Sequence, residues 1–307
     1  MRDPLPTPWV RIEAIRGDAS SRSYARLWSA DGKSAVVVEY APAEQSLLTR
    51  DLAVRSWCAQ RNLKVPSLYS SDMGAGWAIL EDFGENDAEA VLGLAPADQR
   101  LELATALFGP LMTLASLDPR SLPAWNAPLD YQRLRWELAG FELWGLRYRL
   151  RCRPSTAIGS WFDELATEVD RHPKRICHRD FHLNNLFLTG DGSVGMIDFQ
   201  DILVGPDTYD AVSLLCERGM PGFLSTDDVS ELQTSWAEST AAAPGWSDRW
   251  LWVRIQRGFK ALGTFARLGA SGATAYEPWL KALARELAPD LAATDAPAEL
   301  IDLLLDL

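Results

Sequence analysis

No stretch of the chain approaches the ~18 consecutive apolar residues that a membrane-spanning helix requires. The opening residues MRDPLPTPWV also lack the apolar core of a secretory signal. A cytoplasmic protein is the expectation. Cysteine is scarce and scattered: Cys58, Cys152, Cys177 and Cys216 form no C-x-x-C pair, which fits buried reduced thiols better than a disulfide frame or a zinc site. Positive charge is in deficit, with 30 Lys and Arg against 42 Asp and Glu and a net charge of −12. A nucleic-acid backbone is therefore not an expected partner, although a local cluster of arginines or a metal can still receive a small anionic substrate. Internal repeats and low-complexity linkers are absent, and nothing marks an obligate protein partner.

What is present suffices for a sizeable core. The 307 residues are 47% hydrophobic, and at roughly 150 residues per domain they imply two domains or one two-lobed unit. Most of the 13 tryptophans are expected in that core, though indoles also make platforms for sugar rings. WVRIEAI (9–15), SYARLWS (23–29) and SAVVVEY (34–40) read as strands, with turn signals at Gly17-Asp18 and Asp31-Gly32. Residues 44–61 carry apolar positions at helical spacing. VPSLYSS and GWAILED then add two strands around DMGAG. Beyond EDFGEND (81–87), residues 97–118, 130–150 and 158–171 read as helices, and LFLT-GDGS-VGMID signals a hairpin within 186–198. From about residue 208 onward the pattern is helical, broken by Pro and Gly near 221, 244 and 278. The expectation is an α+β chain: a small antiparallel β-rich lobe with one helix over 1–84, a hinge at 79–87, and a larger helical lobe over 85–307.

ICHRDFHLNNLFL (176–188) sets acid, base and amide groups between two apolar runs. His178 and His182 have the spacing of two zinc ligands on one helix face, but no apolar helical stripe surrounds them and a third ligand is missing locally. The metal-pair reading fails for want of that context. A polar turn remains an alternative for the loop by itself. Yet H-R-D-x-x-x-x-N, filled by His178-Arg179-Asp180 and Asn185, is the catalytic-loop signature of eukaryotic-type kinases. Eighteen residues after Asp180 comes Asp198 in GMIDFQD, the counterpart of D-F-G with Gln200 in place of the glycine. Phosphoryl transfer needs a carboxylate to orient and deprotonate the attacking hydroxyl, a role for Asp180. It also needs Mg²⁺ to screen the phosphate oxygens, and the Asn185 amide with the Asp198 carboxylate suits that ion. DGKS (31–34) imitates the end of a Walker A loop, but the first glycine would fall at Leu27, and a hairpin turn explains Asp31-Gly32.

HRDFHLNN and IDFQD resemble the aminoglycoside phosphotransferase and choline kinase superfamily, whose fold is protein-kinase-like with two lobes. GDASSRSYARL (17–27), MIDFQDILVGPDTYDAVSLL (196–215) and FKALGTFARL (259–268) further resemble the bacterial anomeric sugar kinases that phosphorylate N-acetylmuramate and N-acetylglucosamine at C1. The likeness runs from about residue 10 to 285. It implies ATP and Mg²⁺ as cofactors, a sugar as acceptor and a place in cell-wall recycling. It sets GDASSRSY over the nucleotide phosphates, through the backbone around Gly17, Ser20 and Ser21 and the charge of Arg22, against the alternative of an ordinary turn. Main-chain groups near Glu81 and Phe83 would meet adenine. At the acceptor end the candidates are Glu137 and Trp144, seven apart on one helix, with His182 and Asp201 beside the catalytic motifs. For the helix pair, a core aromatic beside a solvated charge is the plain alternative. Asp210 is implied as a brace of the catalytic loop through backbone N–H groups, with Tyr209, Leu214 and Leu215 packing around it. One departure stands out: the third strand carries Val38 and Glu39 where kinases carry a phosphate-binding lysine, a gap the resembling sugar kinases tend to share. An aminoglycoside or choline-type kinase, and a catalytically weak nucleotide-binding pseudokinase, are the alternative readings.

Overall fold

The computed structural model describes residues 8–15, 22–216 and 220–307. The chain divides into two compact units. One comprises the residues up to Thr113 with Asp180–Ile202 and Gly222–Leu224; the other comprises Leu114–Arg179, Leu203–Pro221 and Ser225–Leu307.

The first unit is built on an antiparallel sheet. Strands β1 (Trp9–Ile15), β2 (Ser23–Ser29) and β3 (Ser34–Glu39) precede helix α1 (Gln45–Ala59), and β4 (Leu68–Asp72) and β5 (Trp77–Glu81) follow it. The sheet order is β1-β2-β3-β5-β4, and the β-β-β-α-β-β succession is the one expected. Gly32 closes the β2–β3 turn at φ +82°, a left-handed conformation that glycine adopts without a Cβ clash. Strand alternation then sorts the side chains. Leu27, Ala35, Val37 and Ile79 form one cluster, and Val38, Tyr40, Ala78 and Leu80 form another with Leu48 of α1. The hairpin of β7 (Leu186–Leu188) and β8 (Val194–Met196) belongs to the same unit, and the Met196 N–H donates to Lys64 O at 2.8 Å.

Between these parts the helices differ from expectation. The segment 97–118 is not one helix but α3 (Ala97–Ala106) and α4 (Phe108–Ser116), separated at Leu107. A short α2 (Ala88–Leu94) precedes them, capped by Asp87, which accepts from the Ala90 N–H. It buries only Ala88 and Leu92, too few positions for a period to show in the sequence.

In the second unit, α5 (Tyr131–Phe141) continues past Phe141 as expected, but the run Glu142–Arg149 widens into a π-helix. The unit also holds α6 (Thr156–Arg171), β6 (Lys174–Cys177), β9 (Leu203–Pro206), α7 (Tyr209–Cys216), α9 (Thr226–Ser239), α10 (Trp246–Ala270), α11 (Glu277–Ala292) and α12 (Ala298–Leu305), while α8 (Met220–Phe223) follows α7. The antiparallel β6–β9 pair was not expected: four residues a side carry too little pattern to read. The core gathers around Phe141, Phe162 and Phe259, with the Phe162 and Phe259 rings edge-on at 5.0 Å. Among the described residues no helix is long and apolar enough to cross a membrane.

Helix α10 crosses α5 at glycines. A Cβ added to Gly263 would lie 2.7 Å from the Phe141 backbone nitrogen, whereas one added to Gly269 meets nothing within 4 Å. Gly263→Ala is expected to destabilise by about 1–3 kcal/mol through overpacking. Gly269→Ala should leave stability unchanged or raise it by up to about 1 kcal/mol through helix propensity. Urea denaturation of the two variants tests the opposite signs.

Candidate active site

In the second unit, β6 ends where His178 and Arg179 begin the loop. Arg179 has φ +82°, a left-handed backbone that costs a bulky residue energy and persists only where its surroundings hold it. Here its backbone N–H, its carbonyl and its guanidinium each have a partner. The Asp210 carboxylate, buried at the start of α7, accepts from the backbone N–H groups of His178 (2.5 Å) and Arg179 (2.9 Å). The Arg179 carbonyl accepts from Arg257 of α10 at 3.1 Å. The Arg179 guanidinium donates to Glu137 of α5 at 3.3 Å. Arg257 in turn donates to Ser213 at 2.7 Å and lies 4.2 Å from the Tyr209 ring centroid. Burial pushes the Asp210 carboxyl up from its usual value, opposed by His178, the two N–H donors and Arg257. Asp210 thus does what the sequence implied, and Tyr209, Leu214 and Leu215 are fully buried around it.

The first unit carries the next residues. Asp180 is half-buried, and its carbonyl accepts from the Asn185 amide at 2.8 Å and the His182 N–H at 3.2 Å. That contact fixes the Asn185 side chain with Nδ2 turned inward. Its backbone carbonyl accepts from the Ile197 N–H at 3.0 Å, which joins Asn185 to the residue before Asp198. Asp198 also has a left-handed backbone, φ +58°, tolerable for aspartate. Its Oδ1 accepts from Gln200 at 2.7 Å and pairs with Arg22 at 3.3 Å. The residue replacing the D-F-G glycine therefore holds the carboxylate. Burial lowers the affinity of Arg22 for its proton, but Tyr24, Tyr40 and Asp198 outweigh it and hold the guanidinium above its ordinary value. Burial raises Tyr24 to about 12, partly offset by Arg22.

The expected hinge residues lie in the same unit. Glu81 accepts from the Ser67 backbone N–H (3.0 Å) and hydroxyl (2.8 Å). Phe83 presses on Gly195 of β8, where a Cβ would lie 2.5 Å from its ring, and its ring is 5.9 Å from that of Phe187. Arg26 of β2 forks onto Asp82 at 2.6 and 3.1 Å and donates to the Gly84 carbonyl at 2.9 Å. Although burial alone raises Asp82, this pairing holds its carboxyl below the usual range. Gly17, Ser20 and Ser21 lie outside the described residues.

Residues 11–257 match the model of a family described as the phosphotransferase enzyme family. The chain belongs to that family. It is 30% identical over 263 residues to an N-acetylmuramate/N-acetylglucosamine kinase of Neisseria meningitidis serogroup B, covering 82% of this chain and 76% of the relative. An aminoglycoside-3'-phosphotransferase of type VIII superposes with a TM-score of 0.57 at 20% identity, covering 81% of this chain and 93% of that one. A choline kinase of Streptococcus pneumoniae superposes with a TM-score of 0.55 at 11% identity, covering 94% and 95%. The fold is protein-kinase-like, and the protein is a small-molecule phosphotransferase.

Within this phosphotransferase the acceptor candidates have distinct surroundings. His182 is buried, with Nε2 3.3 Å from Asn185 Nδ2, a contact that sets the ring proton on Nδ1 if the amide donates. Asp201 pairs with Arg50 of α1 at 3.7 Å. Glu137 is buried, with one oxygen on Arg179 and the other accepting from Gln256 at 2.9 Å. Trp144 is half-buried on the π-helical run, its ring 5.5 Å from Tyr148. The seven-residue spacing of Glu137 and Trp144 crosses the change of pitch, so the shared face given by a uniform 3.6-residue turn does not carry over.

The donor set suits a hard cation. Asn185 offers its amide oxygen and Asp198 its second carboxylate oxygen, and Mg²⁺ is commonly held by one or two protein oxygens plus phosphate. No group of three His, Cys, Asp or Glu that could hold a metal occurs among the described residues. Sequence reasoning missed Arg26 and Gln200. A charge in the middle of the apolar strand β2 was the available signal for the first, and the departure from D-F-G, to which no role was given, was the signal for the second.

Asp210→Asn tests the brace. An amide cannot accept both N–H groups as the carboxylate does, so stability should drop by about 1–3 kcal/mol. Turnover should fall on the order of 10²-fold as Asp180 is misplaced. Denaturation and steady-state kinetics on the same preparation check both.

Proposed function

We propose that this phosphotransferase moves the γ-phosphoryl group of ATP to the anomeric C1 hydroxyl of an amino sugar, N-acetylmuramate and/or N-acetylglucosamine. The observation that carries the reading is the catalytic loop, with Arg179 held at a strained φ on every side and Asp180 as the next residue. The acceptor class is supported by the relative from Neisseria meningitidis and by the motifs shared with anomeric sugar kinases.

In this reading the Asp180 carboxylate aligns the acceptor hydroxyl and takes its proton as the new O–P bond forms and the β–γ bridge bond breaks. Asn185 and Asp198 hold Mg²⁺, which supplies charge neutralisation at the phosphates when bound. Arg22, with the backbone around Gly17, Ser20 and Ser21, contacts the phosphates. The backbone at Glu81 to Phe83 meets the adenine edge, so the nucleotide belongs to residues 1–84 and to the segment 180–202. His182 and Asp201, next to the catalytic groups, are the acceptor candidates to mutate first. Glu137 acts through Arg179, and Trp144 offers a ring face to sugar. Dependence on ATP suits a cytoplasmic enzyme.

ATP consumption with N-acetylmuramate, N-acetylglucosamine, choline and kanamycin as acceptors tests the reading. Turnover with the amino sugars is expected. Turnover with choline or kanamycin alone would transfer the chain to the other small-molecule kinases. Nucleotide binding without turnover would make it a pseudokinase. Asp180→Ala should fold and lose about 10²–10⁴-fold in kcat, the usual range for a general base. Full activity in that variant would remove Asp180 from the chemistry.

A further inference from the structure

The phosphotransferase lacks the third-strand lysine with which kinases hold the α- and β-phosphates and pair to a helix glutamate. The sheet face toward α1 shows what stands there instead. Tyr40, immediately after β3, packs with Val38 and Leu48, and its hydroxyl donates to Asp51 of α1 at 2.6 Å. Asp51 is buried, and its other oxygen accepts from Arg55, one helical turn on, at 3.2 Å. Arg22 is the neighbour of Tyr40: each shifts the other's affinity for a proton, and Tyr24, whose ring Arg22 faces, packs on the same cluster as Tyr40. Arg22 also lies 5.7 Å from the Tyr24 ring centroid and pairs with Asp198, and only 16% of its side chain is exposed.

A buried carboxylate on the helix thus reaches a cation through one tyrosine hydroxyl. That hydroxyl donates to Asp51, which leaves its lone pairs, the negative end of the bridge, to the neighbouring guanidinium. The same helix reaches the other side of the site. Arg55 lies 4.9 Å from the Phe199 ring centroid and donates to the Pro66 carbonyl, and Phe199 follows Asp198 directly.

We propose that the Tyr40–Asp51 bridge replaces the lysine–glutamate pair of kinases, with Tyr40 and Asp51 as positioning residues that hold Arg22 where the nucleotide β- and γ-phosphates bind. This inference rests on the kinase reading above. Arg22 supplies the charge, the tyrosine supplies the reach, and the helix carboxylate fixes both. The bridge therefore acts on the phosphates and not on adenine or the acceptor.

That selectivity is measurable. Wild type, Tyr40→Phe and Asp51→Asn are titrated calorimetrically with adenosine, ADP and ATP in the presence of Mg²⁺, after circular dichroism has compared their folds. Tyr40→Phe is expected to weaken ATP by about tenfold, the loss of one hydrogen bond to a charged group, with adenosine affinity and the acceptor KM unchanged. Asp51→Asn keeps an acceptor for Tyr40 but loses the charge, and should shift ATP in the same direction by less. It carries the test should Tyr40→Phe fail to fold. Unchanged ATP affinity, or equal weakening of adenosine and ATP, overturns the proposal while leaving the kinase reading intact. Failure of wild type to bind ATP overturns both.

Discussion

The Asp210 carboxylate, buried and accepting two successive backbone N–H groups, is the constraint from which the catalytic loop follows. A left-handed arginine is unfavourable by itself, and Arg179 adopts that conformation only because its nitrogen, carbonyl and guanidinium are claimed by different partners. The partners come from α5, α7 and α10, which explains why those helices carry buried Glu137, Asp210, Gln256 and Arg257. A buried polar network of this kind contributes modestly to stability and strongly to defining a single conformation. The strained turn sits one residue before the candidate base.

A second arrangement bears on the proposed phosphate side. The chain carries a net charge of −12, a poor environment for a polyanionic nucleotide, so cations must be concentrated locally. Within the first unit Arg22, Arg26, Arg50 and Arg55 are each paired to a carboxylate: Asp198, Asp82, Asp201 and Asp51. These pairs pin the guanidinium groups and keep the carboxylates from repelling a phosphate. Helix α1 contributes three members, Arg50, Asp51 and Arg55, which gives it an organising role beyond covering the sheet.

Much of this was legible in the sequence because it is local. Short β-branched and aromatic runs between turn signals gave the five strands of the first sheet, and the order of HRDFHLNN and IDFQD gave the candidate catalytic loop and the candidate metal ligand Asp198. Asp210 was legible through resemblance, being a named part of a recurring arrangement. What escaped was short or long-range. Strands of four residues such as KRIC and LVGP carry no period, and a seven-residue helix with two buried positions carries little more. The π-helical run after Phe141 arises without any turn signal in the sequence. Tyr40 and Asp51 read separately as a strand aromatic and a helix charge; only packing brings the hydroxyl within 2.6 Å of the carboxylate. Glu137 read as an acceptor candidate or, alternatively, a solvated charge, and its burial became apparent only with Arg179 and Gln256 beside it.

The central claim is that the Asp180 loop directs phosphoryl transfer from ATP to the anomeric oxygen of an amino sugar. Phosphorus NMR of the products formed from ATP, Mg²⁺ and N-acetylmuramate tests it most directly. The account predicts a phosphomonoester signal coupled to the sugar H1, appearing in step with ADP. A phosphoester on another sugar carbon, or ADP accompanied only by inorganic phosphate, would contradict it.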